Sequence, residues 1–269
     1  MYFFLACAGV FGLIIGSFLN VLVLRYKTGR GLSGRSGCPS CGKTLHWHEL
    51  IPVVSFVLQK GRCASCHSKI SFQYPLVELL TAGLFVLSAW KALSIGGSFV
   101  YIHFAHLALM MSLLVALVVY DIKHTIIPNL FVYLFDICAL AYVFANYSGT
   151  FSAPLWSPIV SAAVVAAPFA LLWLVSSGRW MGLGDAKLSL GIGAALSFVG
   201  GLSALVWAFW AGALVSVFLL AVSKLRLRHR GRHFTMKSEV PFAPFLVFGF
   251  LIVLFWSIDL VTLITFISK

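Results

Sequence analysis

Between Met1 and Leu24 the chain carries no charged side chain, and from Leu188 to Val222 it runs 35 residues without one. A bilayer core offers no water to free backbone groups, so runs of this kind cross it as helices, with about 20 residues needed for a core ~30 Å thick. Soluble domains carry roughly a quarter charged residues, whereas here charged residues are 10% and hydrophobic residues 61% of the 269. The expected fold is therefore an all-α polytopic integral membrane protein. The net charge of +12 invites a nucleic-acid reading, but such proteins gather their basic residues on one soluble face. Here the basic residues flank apolar segments, so membrane lipid is the expected partner and nucleic acid is not.

Residues 1–24 form the first span. A cleaved signal peptide places its positive charge before the apolar run, but here Arg25, Lys27 and Arg30 come after it. The segment is thus expected to stay as an anchor with its N-terminus outside. Further helices are expected near 75–93, 99–120, 128–146, 158–177, 186–200, 202–222 and 240–266, which makes about eight transmembrane helices with Gly200-Gly201 as the turn between the sixth and seventh of the full set. Cytoplasmic loops collect Lys and Arg. In this topology 17 of the 19 lie in the inside segments 25–74, 121–127, 178–187 and 223–239, leaving only Lys91 and Lys269 outside with both termini. The run Lys224, Arg226, Arg228, Arg230, Arg232 reads as an orientation signal beside anionic lipid. Gly12 and Gly16 form a GxxxG pair that can admit a second helix closely.

The chain thus divides into 1–24, a cytoplasmic insert 25–74, and a membrane core 75–269. The insert is too small to bury an ample core unaided and needs a staple. Cys38-Pro-Ser-Cys41 and Cys63-Ala-Ser-Cys66 have the spacing of two knuckles gripping one structural Zn²⁺ through four thiolates, with free thiols or a redox pair as the alternatives. His46, His48 and His67 are possible substitute ligands, but they also read as ordinary polar loop residues, because four thiolates already close a structural site. Cys7 and Cys138 lie in apolar runs and read as small packing residues.

An ionisable group at membrane depth or at its rim is a functional candidate whose partner must be named. Arg179-Trp180-Met181-Gly182-Leu183-Gly184-Asp185-Ala186-Lys187 carries one such acid to the membrane edge, and its glycines suit irregular backbone there. In the expected topology Asp121 ends the third helix on the same side. Two adjacent carboxyls share a proton and can activate water, one as base while the other polarises a carbonyl. The competing reading is that each acid caps a helix. Glu78 and Glu239 sit at helix starts, where a carboxylate has a structural reason to be. Asp136 falls inside a helix about two turns from the level of Asp121, Asp259 points toward the outer interface, and Glu49 lies in the insert. The same intramembrane acids fit a second reading, a proton-coupled transporter or channel with a zinc-stapled loop, although the two-halved repeat frequent in transporters is not evident.

Taken in order, several blocks resemble the type IV prepilin peptidases, GxGD-type membrane aspartyl proteases that also N-methylate their product. They are Gly16-Ser17-Phe18-Leu19-Asn20, the paired CxxC knuckles, Glu49-Leu50-Ile51-Pro52, Tyr74-Pro75-Leu76-Val77-Glu78-Leu79-Leu80, Tyr120-Asp121 before Ile127-Pro128-Asn129, Gly182-Leu183-Gly184-Asp185-Ala186-Lys187-Leu188, and Pro241-Phe242-Ala243-Pro244-Phe245. The resemblance implies that Asp121 and Asp185 are the catalytic acids and that Cys38, Cys41, Cys63 and Cys66 hold zinc. It implies a multi-pass enzyme of the bacterial inner membrane that cleaves the basic leader of type IV prepilins or pseudopilins on the cytoplasmic side. S-adenosylmethionine would then methylate the new N-terminus, with Glu49 a candidate for that site. Lys123 departs from the family, many of whose members carry an acid two residues after the first catalytic Asp.

The topology makes a direct prediction. Single cysteines placed at Ser36 and Ser94, in a background without native thiols whose folding is verified, should differ in access. A membrane-impermeant thiol reagent should label position 94 from outside and leave position 36 unlabelled; the reverse pattern overturns the orientation.

Overall fold

The computed structural model describes residues 1–28, 31, 34–145, 157–225, 241–260 and 262. Among them the regular elements are helical, namely α1 (Tyr2–Arg25), a 3₁₀ turn (Trp47–Leu50), α2 (Val54–Leu58), α3 (Gln73–Ile95), α4 (Val100–His124), α5 (Asn129–Ala145), α6 (Ser157–Ser176), α7 (Leu183–Leu225) and α8 (Ala243–Trp256). Helices α1, α3, α4 and α6, and α7 taken at its full length, are long and apolar enough to cross a membrane, while α5 and α8 are shorter apolar helices. The chain forms two compact units, Met1–Val119 and Tyr120–Lys269, whose boundary falls near the end of α4.

In the first unit, α1 and α3 meet along the glycine pair read from the sequence. A Cβ on Gly12 would stand 2.7 Å from the Ala82 Cα, and one on Gly16 would stand 2.7 Å from the Glu78 Cα. Four residues forward on α1 match four residues back on α3, so the helices are antiparallel, and only glycine permits this approach. In apolar surroundings such close van der Waals packing, rather than a hydrophobic driving force, holds helices together. Helix α4 begins at the same end as α1, because Phe4 packs edge-on against Tyr101 and Phe104 with ring centroids 5.5 and 5.3 Å apart. Phe85 of α3 closes the cluster against Phe104. The three helices therefore alternate in direction, as successive crossings must. Cys138 is half-buried, but Cys7 is exposed on α1, so its expected packing role does not hold within the chain.

The second unit is built on α7, which is not one rod. Ser197 has φ 64 and ψ −177, outside helical geometry, and a Cβ on Gly201 would lie 3.2 Å from the Gly193 Cα. Eight residues of straight helix would separate them by about 12 Å. The chain therefore doubles back at Ser197 into two arms, 183–196 and 198–225. The expected pair of helices is present, but its turn falls upstream of Gly200-Gly201. The physical reason is that Gly201 serves close packing: a Cβ there would meet Val165 of α6 at 2.6 Å as well as the first arm.

Helix α6 carries Pro168 in its interior, where the missing N–H interrupts the hydrogen-bond ladder. It lies against the first arm, with Ala162 and Val165 facing Gly193. Helix α8 lies against the second arm, Gly249 approaching Ala204 and Gly212 facing Phe242 and Phe245. Phe135, Phe169, Leu188, Ile192, Leu246 and Phe250 are fully buried among these helices. The last helix is shorter than the expected 240–266. It stops at Ser257, which adopts the left-handed conformation, and the following backbone is tied to the second arm by Trp207 Nε1 donating to the Ile258 carbonyl at 3.1 Å and Leu260 N–H donating to Ser203 Oγ at 2.9 Å. Glu239, Lys269 and the basic positions 226–232 lie outside the described residues.

Two substitutions separate the turn from the packing. Ser197→Gly relieves a positive-φ, extended-ψ backbone that is nearly confined to glycine and costs other residues about 1–3 kcal/mol, so it should maintain or raise the thermal midpoint in detergent. Gly201→Val forces atoms into a filled interface, an overpacking that typically costs ~1–3 kcal/mol, and should lower the midpoint. Equal destabilisation by both would contradict a turn at Ser197.

Candidate active site and metal centre

Four chain segments of the second unit converge at one end. The last turn of α4 carries Asp121, α5 starts at Asn129, α7 starts just before Asp185, and α8 starts at Ala243. Asp121 and Asp185 are 3% and 7% exposed, a depth at which isolated carboxylates are costly unless they are partnered or share a proton. They are near enough that the charge on Asp121 acts on Asp185. Asp121 Oδ2 and Asp185 Oδ1 are buried and have no protein hydrogen-bond partner among the described residues. The Asp121 carboxyl also receives the backbone N–H of Ala243, at the N-terminus of α8, where the unpaired N–H groups of a helix favour negative charge.

This constellation is held by contacts between blocks that are distant in sequence. A Cβ on Gly184 would lie 2.8 Å from the Ile127 Cβ, so the residue before Asp185 must be bare for the start of α7 to seat against the α4–α5 turn. That turn is closed by Thr125, whose N–H donates to the Asp121 carbonyl at 2.7 Å from left-handed backbone. Lys187 Nζ donates to Asn129 Oδ1 at 3.0 Å and lies 5.2 Å from the centre of the Tyr133 ring. The lysine after Asp185 is thus occupied in fastening α7 to α5. Ser189 Oγ donates to the Asp185 carbonyl at 2.8 Å. The Ala243 N–H is the contribution that the sequence reading missed. A backbone donor has no signature of its own, although Pro241 and Pro244 bracket the helix start that supplies it.

In the insert, the four cysteine sulfurs lie within 4.8 Å of one another. Tetrahedral zinc with Zn–S bonds of about 2.3 Å needs sulfurs about 3.8 Å apart, and Cys38 Sγ and Cys66 Sγ are 3.8 Å apart. The donor set and its spread fit the metal. The two knuckles repeat one another with a shift of 25 positions. Cys38 N–H donates to the Lys43 carbonyl and Gly42 N–H to the Cys38 carbonyl, while Cys63 N–H donates to the Ser68 carbonyl and His67 N–H to the Cys63 carbonyl. Gly42 and His67 occupy equivalent left-handed positions, φ 72 and 54. His67 thus occupies a turn position, and the His46 and His48 rings stack on each other. Backbone N–H groups of Cys41 and Ser40, with the Ser68 hydroxyl, lower the Cys38 thiol to about 6, which favours the thiolate a metal requires.

The remaining acids have distinct surroundings. Glu49 Oε2 accepts the His46 N–H at 2.8 Å and its Oε1 pairs with Lys43 at 3.2 Å; that N–H, and then the lysine, hold its carboxyl below the usual range. Buried Glu78 accepts the Val53 N–H at 2.7 Å, holding a β-branched residue at φ 60 and tying the insert to α3. Asn20, also buried, donates to the Gly16 and Tyr74 carbonyls. Asp136 Oδ1 is buried on α5 and faces Gly191 of α7. Asp259 Oδ1 accepts the Thr262 N–H at 2.8 Å in a local turn.

Comparison with known proteins matches two family models. Residues 10–92 match the bacterial peptidase A24 N-terminal domain, and residues 108–217 match the type IV leader peptidase family. A prepilin leader peptidase/N-methyltransferase of Bacillus subtilis (strain 168) is 32% identical over 245 residues, covering 89% of each chain. Proteins of the same name from Neisseria gonorrhoeae and Pseudomonas aeruginosa are 29% and 31% identical, covering 90% and 94% of this chain and 88% and 91% of theirs. No solved structure matches.

If the four cysteines close one metal site, Cys38→Ser or Cys66→Ser should abolish bound zinc and open the insert to protease, since structural zinc supplies folding free energy directly. His67→Gly should keep zinc at the wild-type ratio, because glycine suits its backbone. Elemental analysis with limited proteolysis reads both, and loss of zinc in His67→Gly would make that histidine a ligand.

Proposed function

As a member of the type IV leader peptidase family, the chain is a prepilin peptidase, and we propose that Asp121 and Asp185 are its catalytic pair. The observation that carries this reading is the burial of both carboxyls at one converging end, each with an oxygen that no protein group among the described residues takes up. Asp121, backed by the Ala243 N–H and the positive end of α8, is the better seat for negative charge and acts as the base. Asp185 carries the shared proton. Water loses a proton to Asp121 as its oxygen bonds to the scissile carbonyl carbon, while Asp185 donates to the carbonyl oxygen. As the C–N bond breaks, Asp121 gives its proton to the departing amine while a hydroxyl of the diol returns one to Asp185 as the carbonyl re-forms, so the pair again shares one. Acid–base chemistry of this kind needs no covalent intermediate.

The proposed substrates are type IV prepilins and pseudopilins, cut after their basic leader at the cytoplasmic rim. The proposed topology has eight crossings, with α7 counted as two arms and both termini outside, in the bacterial inner membrane, and with 25–74 as a cytoplasmic insert held by zinc on Cys38, Cys41, Cys63 and Cys66. It is supported by the distribution of basic residues, by the alternating directions of α1, α3 and α4, and by the reversal at Ser197. Lys123 stands where the resemblance expects an acid, so no role is given to that position in the steps above. The names of the relatives support a second step, S-adenosylmethionine-dependent N-methylation of the trimmed product. No glycine-rich nucleotide-cradling turn between strand and helix occurs among the described residues, so the methyl donor's seat is not assigned to any residue.

Asp121→Asn and Asp185→Asn preserve shape but remove proton exchange. Each should slow cleavage of a purified prepilin by at least about 10³-fold, and the double mutant should be scarcely worse, because groups acting as a unit give non-additive losses. Methylation of a pre-trimmed pilin peptide should persist in all three. A folded Asp185→Asn protein that cleaves at the wild-type rate would remove the pair from the mechanism and direct attention to Asp136.

A further inference from the structure

We propose that the outer face of residues 47–58 is a membrane-interface anchor that seats the insert in the boundary between lipid headgroups and acyl chains. The 3₁₀ turn and α2 together expose Trp47, Leu50, Ile51, Val54, Val57 and Leu58, with Trp47 78% and Leu58 75% accessible. Scattered apolar residues on a surface need no explanation, but a concentration of this kind in so short a segment marks an interaction site.

The depth of this face is fixed by hydrogen bonding. Glu78, in α3, accepts the Val53 N–H at 2.7 Å, and it lies five residues beyond the helix start at Gln73, about 7.5 Å along the axis. The backbone between the 3₁₀ turn and α2 is therefore pinned beside the first turns of a helix long and apolar enough to cross the membrane. Phe56 of α2 also packs edge-on against Phe72, which directly precedes α3. A face held at that level meets the bilayer surface rather than bulk water.

Charge selects the same partner. Glu49 is the sole acid between residues 26 and 72, and Lys43 and the His46 N–H already occupy it. Lys60 and Arg62 follow α2 immediately and are exposed. The face thus combines an exposed Trp, aliphatic side chains and excess positive charge, the composition that binds at the surface of anionic membranes. The orientation matters for the proposed chemistry only indirectly, since it would keep the zinc knuckles in a defined attitude to the bilayer.

The inference rests on α1 and α3 crossing the membrane, and its test includes a control for that. In the full chain reconstituted into phosphatidylethanolamine–phosphatidylglycerol vesicles, the photoreactive residue p-benzoylphenylalanine would replace, one at a time, Ile14 on the exposed face of α1, Val57, or Ser65 at the tip of the second knuckle. Mass spectrometry of the irradiated peptides reads lipid adducts, with and without added prepilin. The expected result is a yield of adducts at Val57 comparable to that at Ile14 and severalfold above that at Ser65, unchanged by prepilin. Adducts at Ile14 with none at Val57 would overturn the anchor, as would cross-linking of Val57 to prepilin in place of lipid or equal yields at Val57 and Ser65. Failure at Ile14 would remove the membrane crossing itself, and the anchor with it.

Discussion

Two carboxyls buried in apolar surroundings are the constraint on which the second unit depends. Burial of Asp121 and Asp185 is unfavourable for either charge alone, so the surrounding helices must deliver polar groups to that end without opening the core. The α8 terminus supplies an N–H, the turn after α4 folds back through Thr125, and α7 enters through a glycine that lets it reach Ile127. The α8 donor is backbone and survives most side-chain changes, whereas the seat of α7 depends on residue 184 having no side chain at all. The site is built from helix ends, and Phe135, Phe169 and Phe250 are fully buried within the same unit.

How much of this was legible depended on whether the signal lay within one stretch of sequence. The acids stood out because charge is rare in the chain, and the glycine pair on α1 had the spacing of a close contact. The knuckles were readable because both halves of a metal site carry the same short pattern. Pairings between distant positions were not readable. Lys187 and Asn129 are 58 residues apart, Glu78 and Val53 are 25 apart, and the latter bond uses a backbone group that any residue but proline would offer. Gly200-Gly201 was misread for a physical reason: bare positions permit either a turn or an intimate contact, and only the partner helix decides between them.

The insert shows how little sequence a repeated structure needs. Its two halves share a hydrogen-bond pattern although, beyond the cysteines and the serine between them, few positions match, and the left-handed site is filled by Gly42 in one and His67 in the other. Four sulfurs gathered within 4.8 Å could be tied together by a metal, which would tolerate such local strain. The same logic accounts for Val53, which keeps an unfavourable backbone conformation because Glu78 holds its N–H.

The reversal at Ser197 has a consequence for the surrounding lipid. The first arm of α7, residues 183–196, is about 21 Å long at the usual helical rise, appreciably shorter than a hydrocarbon layer of ~30 Å. Lipids do not leave a gap above a short segment; they compress to meet it. If this arm crosses as proposed, its far end should carry a shallow depression in the opposite leaflet, with the hairpin's polar backbone at its floor.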